Sequence, residues 1–491
     1  MAITFAASPD GLERDELARL LSGYVRTWAD GGKPLLRLVT QRDVETVYAE
    51  IAGILETIGA SEDADIELVA GDLVAVTARG DCIGTADPEL AARVGARGRR
   101  PVEGFVAPAA ARTATEELRG LLGYTAIAWG ALLRGASGYG DEARMFLRAL
   151  DDAGLEPIAH RITPEGPRAD LSHDTERLLR RCEQRLAPAT GSLNVLHFMP
   201  IGANPPPGFH VCRTMFETES IPPHWVPWLA GLSRIWVPTA FNVDSFERGG
   251  IPRERVRILP GTIDFDRFHA GARPVDLGET RGFTFVSNFD FQDRKGWDVL
   301  LRAYALEFAG EEDVTLLLKV HTIHTTVPAM QARILGELRR TGVPEARLPH
   351  VRVMAEDLPE ADLPGLYTAA DAYVSPTRGE GWGRPLMEAL ACGTPVVASR
   401  WSAQLAFLDD DNAHLVDGTV IDVPHDIDIP VFRGQRWFDP DVDALRAAMR
   451  AVRSDAAGAA ARARAARPWL LEEFSRPAIA ERIAELTLEV L

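Results

Sequence analysis

The sequence predicts an α/β chain in which two domains, each built on a parallel sheet, follow a smaller α/β region at the N-terminus. Three observations carry this. With 491 residues, 46% hydrophobic and 25% charged, the chain has room for two to four domains at roughly 100 to 200 residues each. Short apolar runs alternate with helical stretches of about ten to fifteen residues, the order that covers a parallel sheet with helices on both faces. The succession of strand, glycine-containing turn, helix and strand occurs on both sides of residue 270, so two such sheets fit.

Residues 1–112 form the accessory region, with apolar runs at Leu35–Thr40 and Ile66–Ala70 and a helical pattern near Val44–Ile58. It ends in GARGRRPVEGFVAPAAAR, whose Gly, Pro and Ala content reads as a linker. Residues 113–270 open with YTAIAW as a strand, GALLRGASGYG as a turn, DEARMFLRALDDAG as a helix and LEPIAHRI as the next strand; further runs follow at Leu193–Phe198 and Arg234–Val237. Asp266–Thr280, with Gly and Pro, is the connection. Residues 271–455 repeat the alternation with FTFVS, VTLLLKV, HVRVM, DAYVS and PVVAS. Residues 456–491 are an Ala/Arg-rich helical tract and PWLLEEFSRPAIAERIAELTLEVL, expected as one final amphipathic helix. A weak internal echo pairs PLLRLVT and IELVAGDL with TLLLKVHT and HVRVMAEDL, so residues 1–112 read as a degenerate copy of a second-domain half with no catalysis of their own.

Composition excludes several functions. Lys plus Arg number 53 against 71 Asp plus Glu, a net charge of -18, which argues against a phosphate backbone as main partner and hence against nucleic acid. Cys82, Cys182, Cys212 and Cys392 show no CxxC spacing and fit reduced packing residues. MAITFAASPDG lacks a basic n-region and a continuous apolar core, so export is not expected. Tyr124–Leu133 is about half the length that crosses a bilayer, which leaves a cytoplasmic protein with at most peripheral contact at the inner membrane face. Arg97, Arg99 and Arg100 are a local basic patch for such contact, and assembly with like chains stays open. Only three lysines occur, Lys33, Lys295 and Lys319, so the latter two draw attention in a chain that uses Arg nearly everywhere.

The chemistry concentrates in DAYVSPTRGEGWGRPLMEALACGTPVVAS. A strand ends at Ser375, a Gly-rich loop carries Glu380, Pro385 suits the first turn of a helix, Glu388 lies one turn in, and Gly393 closes it. Glycines before a helix N-terminus let an anion such as a diphosphate approach main-chain N–H groups. The two carboxylates repel phosphate and are suited to accept hydrogen bonds from sugar or ribose hydroxyls.

The spacing Glu380-x7-Glu388 in EGWGRPLMEALACGTPVVAS resembles the E-x7-E signature of retaining nucleotide-sugar glycosyltransferases of the GT-B fold, glycosyltransferase family 4. The likeness covers residues 122–491 and extends to GASGYGDEAR, WVPTAFNVDSF, ILPGTIDFDRF and RKGWDVLLRAY, in order. It implies two Rossmann-like domains facing a cleft, a nucleotide-sugar donor, a saccharide or glycoconjugate acceptor, and a place in polysaccharide biosynthesis. It also implies no cofactor and no metal; His321 and His324 lack a third ligand nearby. By resemblance Glu388 holds the donor ribose and Glu380 the transferred sugar, and main-chain amides around Gly381, Trp382, Gly383, Arg384, Pro385 and Leu386 hold sugar and phosphate. Lys295 contacts the diphosphate, and His197 matches a histidine near the reacting centre.

One departure stands out: the family has Gly-Arg after the first strand of the second domain, and this chain has Ser287-Asn288. Arg294 or Lys319 is then the substitute cation. Ser137 is placed to cap the helix after Gly138 and Gly140, a turn that by resemblance lines the cleft. The segment PPGFHVCRTMFETESIPPHWVPWL, with Glu217 and Glu219, reads either as an acceptor-recognition loop or as a brace packed through Trp225 and Trp228. Rival functions are another GT-B activity, such as a nucleotide-sugar epimerase or a phosphorylase, and a catalytically degenerate partner subunit.

Overall fold

The computed structural model describes residues 4–7, 35–40, 66–70, 82–84, 100–101 and 114–120, and residues 126–490 apart from 163–167, 189–191, 203, 324 and 357. The chain divides into two compact units, Met1–Gly123 with Ala484–Leu491, and Tyr124–Ile483.

In the first unit, β1 (Thr4–Ala7), β2 (Leu35–Thr40), β3 (Ile66–Ala70), β4 (Cys82–Gly84) and β5 (Arg100–Pro101) form a parallel sheet of order β3-β2-β1-β4-β5. The apolar runs at 35–40 and 66–70 are strands. Arg100 and Pro101 are not linker but an edge strand on β4, a position where proline's missing N–H costs no ladder bond. Arg97, Arg99 and the helical pattern at 44–58 lie outside the described residues.

The second unit holds two six-stranded sheets. Sheet one comprises β6 (Ile127–Ala131), β7 (Ile158–Arg161), β8 (Leu193–His197), β9 (Val211–Arg213), β10 (Arg234–Val237) and β11 (Val256–Ile258), in the order β11-β10-β9-β8-β6-β7. Sheet two comprises β12 (Phe283–Asp290), β13 (Val314–His321), β14 (His350–Met354), β15 (Ala372–Ser375), β16 (Val396–Ser399) and β17 (His414–Val416), in the order β14-β13-β12-β15-β16-β17. Every pairing in both is parallel. The first five strands of sheet two repeat the order of the N-terminal sheet, and the internal echo matches β2 with β13 and β3 with β14, strands of equal rank.

The continuous apolar runs follow from burial on both faces. All of Val314–Val320 is buried, and β12 and β13 pack Phe285, Leu316 and Leu318 against Leu300 and Tyr304 of the helix Trp297–Glu307 and Met449 of the helix Val442–Ser454. Each such side chain contributes about 1.5–3 kcal/mol. In both sheets the first strand sits where the order reverses, between β8 and β7 and between β13 and β15, so the loops leaving their carboxyl ends are where a ligand settles.

Two features departed from sequence expectation. A hairpin of β18 (Gly418–Asp422) and β19 (Arg436–Pro440) was not foreseen; Val423, Ile427, Phe432 and Trp437 from it pack with Phe216, Ile221, Trp225 and Trp228, which follow sheet one's β9. The expected final helix is broken into Arg467–Phe474 and Arg476–Leu488, because Ser475 is extended and Pro477 suits only the first turn of a new helix. These segments return to sheet one: Thr262 Oγ1 donates to Phe474 O at 2.5 Å and Arg482 Nε to Ile258 O at 3.0 Å.

Candidate active site

The loop after β15 and the helix Arg384–Ala391 place both glutamates. Gly383, at φ +93°, takes a left-handed turn that ends the loop, and Pro385 starts the helix. Glu380 and Glu388 are both buried, at 8% and 3% exposure. Lys295 Nζ lies 2.7 Å from Glu380 Oε1, and Arg294 Nη1 3.4 Å from Oε2. Burial works to raise the Glu380 carboxyl, but the Lys295 ammonium and then Arg294 outweigh it and hold the group below the ordinary carboxylate range. Burial and the neighbouring Arg294 lower the Lys295 ammonium in turn, against the pull of Glu380.

Glu388 belongs to a second chain of contacts. Tyr367 Oη donates to Glu388 Oε2 at 2.6 Å, and Asn288 Nδ2 donates to Tyr367 Oη at 3.2 Å. Arg384 reaches Glu388 Oε1 at 3.3 Å and forms a close ion pair with Asp141 of sheet one's first helix. Burial, only partly offset by Arg384, raises the Glu388 carboxyl. Lys319 is buried on β13 directly opposite Asn288, with Nζ 3.5 Å from His321 Nε2. A cation therefore stands beside the asparagine that replaces the family arginine. Arg294 is held by the Gly379 carbonyl, Glu380 and Glu217.

Several expected site residues make contacts within the protein. The Leu386 N–H donates to Gly383 O at 3.0 Å, closing the helix's first turn, so it is engaged internally rather than offered to phosphate. The Trp382 ring is core, 5.1 Å from Phe407 and 5.4 Å from Phe474 between centroids, and Gly261 passes so close that an added Cβ would meet that indole and Glu142 Oε1 at 2.7 Å. Ser137 caps its helix, accepting from Gly140 N at 3.1 Å. Gly140 is required sterically, since a Cβ would meet Leu132 O at 2.5 Å, whereas Gly138 is open. The same first turn carries Asp141, partly buried, and Glu142, buried, both held below their ordinary values against desolvation, Asp141 by Arg384 and Arg144 and Glu142 by Arg213 and His197. Two carboxylates, each paired with an arginine, stand at that helix end beside Gly138 and Gly140.

His197 belongs to the same network. It is fully buried; Trp129 Nε1 donates to Nδ1 at 3.1 Å, so Nε2 carries the proton and donates to Glu142 Oε2 at 2.9 Å. Burial lowers its pKa, with Glu142 pulling the other way. Both nitrogens are engaged, and His197 orients Glu142. Arg213 completes the network, Nη2 to Glu142 Oε1 at 2.9 Å. The sequence reading passed over Asp141, Glu142, Arg213 and Tyr367. The available signal was the acid pair directly after the glycine turn. His324 lies outside the described residues, and among those described no group of three or more His, Cys, Asp or Glu could hold a metal ion.

Trp225 and Trp228 are buried in the core beneath sheet one, so that segment is a brace, but its Glu217 faces Arg294 at 3.6 Å.

Two parallel sheets whose strand ends meet at one site, with closing helices returning to the first, make this a GT-B fold. Residues 280–426, which hold the second sheet and its Glu380 loop, match the family model described as glycosyl transferases group 1. The chain is 28% identical over 264 residues to a GDP-mannose-dependent alpha-(1-6)-phosphatidylinositol monomannoside mannosyltransferase of Mycolicibacterium smegmatis, covering 51% of this chain and 55% of that one. It is 30% identical over 192 residues to a phosphatidyl-myo-inositol mannosyltransferase of Mycobacterium tuberculosis, covering 38% and 44%. The matched stretch thus spans about half the length of these curated relatives. Sucrose-phosphate synthase of Thermosynechococcus elongatus aligns in structure with a TM-score of 0.51 at 17% identity, over 74% of this chain and 99% of that one, a likeness of fold. Among the described residues no helix is long and apolar enough to cross a membrane.

Proposed function

We propose that this protein is a retaining glycosyltransferase that moves a hexose from a nucleoside-diphosphate donor to an acceptor hydroxyl. The carrying observation is the pair of buried glutamates, one on the glycine-rich loop against Lys295 at 2.7 Å and the other in the helix that follows, linked through Tyr367 to Asn288. Glu388 would accept from the ribose hydroxyls and Glu380 from the transferred sugar, as the family resemblance implies. Breaking the sugar–oxygen bond concentrates charge on the departing diphosphate, and Lys295, Arg294 and Lys319 would be the fixed cations that meet it. Burial of the site between the two sheets would exclude water that hydrolyses the donor. Retention follows if the acceptor attacks from the leaving-group face and the departing phosphate takes its proton, so no side-chain base is assigned. With the charge carried by side chains, the reading expects transfer without an added metal.

The relatives' names put guanosine-diphosphate mannose first among donors and an inositol glycolipid among acceptors, which would bring the protein to a membrane face as a peripheral enzyme. The test is a thermal-shift screen of UDP-, GDP-, TDP- and ADP-sugars followed by transfer assays with Glu388→Ala. Native protein should be stabilised by one donor class, and the variant should lose that binding. Equal binding and rate in both would remove the assignment, and conversion of donor with no acceptor would favour an epimerase.

A further inference from the structure

Glu217 has no part in the chemistry above, yet the fold delivers it to the cations. The segment leaving β9 lies directly on the Glu380 loop: a Cβ on Gly379 would meet the Glu217 carbonyl oxygen at 2.0 Å, and one on Gly381 would meet Met215 at 2.5 Å. The β18–β19 hairpin holds the segment from its other side, with Glu219 N donating to Arg436 O at 2.9 Å and Phe216 packed on Phe432 at 5.4 Å between centroids. Main-chain packing therefore sets the Glu217 carboxylate 3.6 Å from Arg294. Arg294 and Lys295 also face Glu380, at 3.4 and 2.7 Å. Two cations and two carboxylates confront one another, with Asp290 the next acid felt by Arg294 and the partly buried Tyr139 phenol also within the field of Glu217. This group is already neutral. A nucleoside diphosphate brings about three more negative charges at neutral pH and meets Glu217 as a rival for Arg294.

We propose that Glu217 is a placeholder anion, occupying the Arg294 face of the diphosphate site until a nucleoside diphosphate arrives and taking up a proton as it binds. The inference rests on the donor site assigned above. The proton comes from bulk solvent and forms the O–H bond of a neutral carboxylic acid; no bond breaks in the ligand. Burial, countered by Arg294 and reinforced by Glu380, already holds this carboxyl above its ordinary range, which favours uptake.

Calorimetric titration with UDP and with GDP, at about pH 7.5 in buffers of different ionisation enthalpy, tests it. Native protein should take up close to one proton per nucleotide. Glu217→Gln should take up none and bind about tenfold more tightly, the equivalent of one pKa unit. Binding of equal strength by both proteins, with no buffer dependence, overturns the inference. Should the variant fail to fold, the buffer dependence of the native protein decides alone, and its absence is refutation. If neither protein binds any nucleoside diphosphate, the donor-site assignment falls with it.

Discussion

Replacing Lys295 by Ala probes the charge that the site is built to hold. The ammonium is 14% exposed and sits 2.7 Å from Glu380. At about 4 Å from a phosphate oxygen and an effective dielectric near 20, a Lys contributes about 4 kcal/mol. Glu380 retains part of that field, and the residual exposure screens some of the rest, so about 2–3 kcal/mol is expected. That corresponds to roughly 30- to 150-fold weaker nucleoside-diphosphate binding and a comparable or larger fall in transfer rate. Arg294, 3.4 Å from Glu380, remains to pair the buried carboxylate, so the variant should fold, which circular dichroism verifies. Calorimetry with the donor nucleotide and initial-rate assays give the numbers. Affinity and rate both within threefold of native would refute the assignment of Lys295 to the diphosphate.

Two further outcomes follow from packing and charge. Trp437 is 1% exposed in the hairpin's contact with Phe216 and Trp225, so Trp437→Ala should cost about 3–5 kcal/mol; an unchanged urea midpoint would show that the hairpin does not brace the loop. Glu142 is held below its ordinary value by Arg213 and His197 despite burial, so it adds stability above about pH 4.5 that is lost as pH falls through its depressed value. Glu388, raised by burial, runs in the reverse sense, destabilising as pH climbs from about 4.5 through its folded value. Glu142→Gln should therefore narrow the gap in urea midpoint between neutral pH and about pH 3, and an unaltered gap would sink the network.

Local chemistry carried much of this protein. The apolar run of β13 and the strand ending at Ser375 were legible because a strand buried on both faces has few ways to be written. The glycine loop, Pro385 and the two glutamates were legible because turn and helix-start geometry depend on near neighbours. The surroundings of His197 were not legible, because they come from Trp129 and Glu142, 68 and 55 positions away, whereas the bond of Leu386 to the Gly383 carbonyl is local. Pairings such as Arg384 with Asp141, Glu217 with Arg294, and the hairpin at 418–440 with Phe216 join residues separated by tens to hundreds of positions. No short-range pattern encodes them, because the burial and charge that fix them exist only after the two sheets have packed.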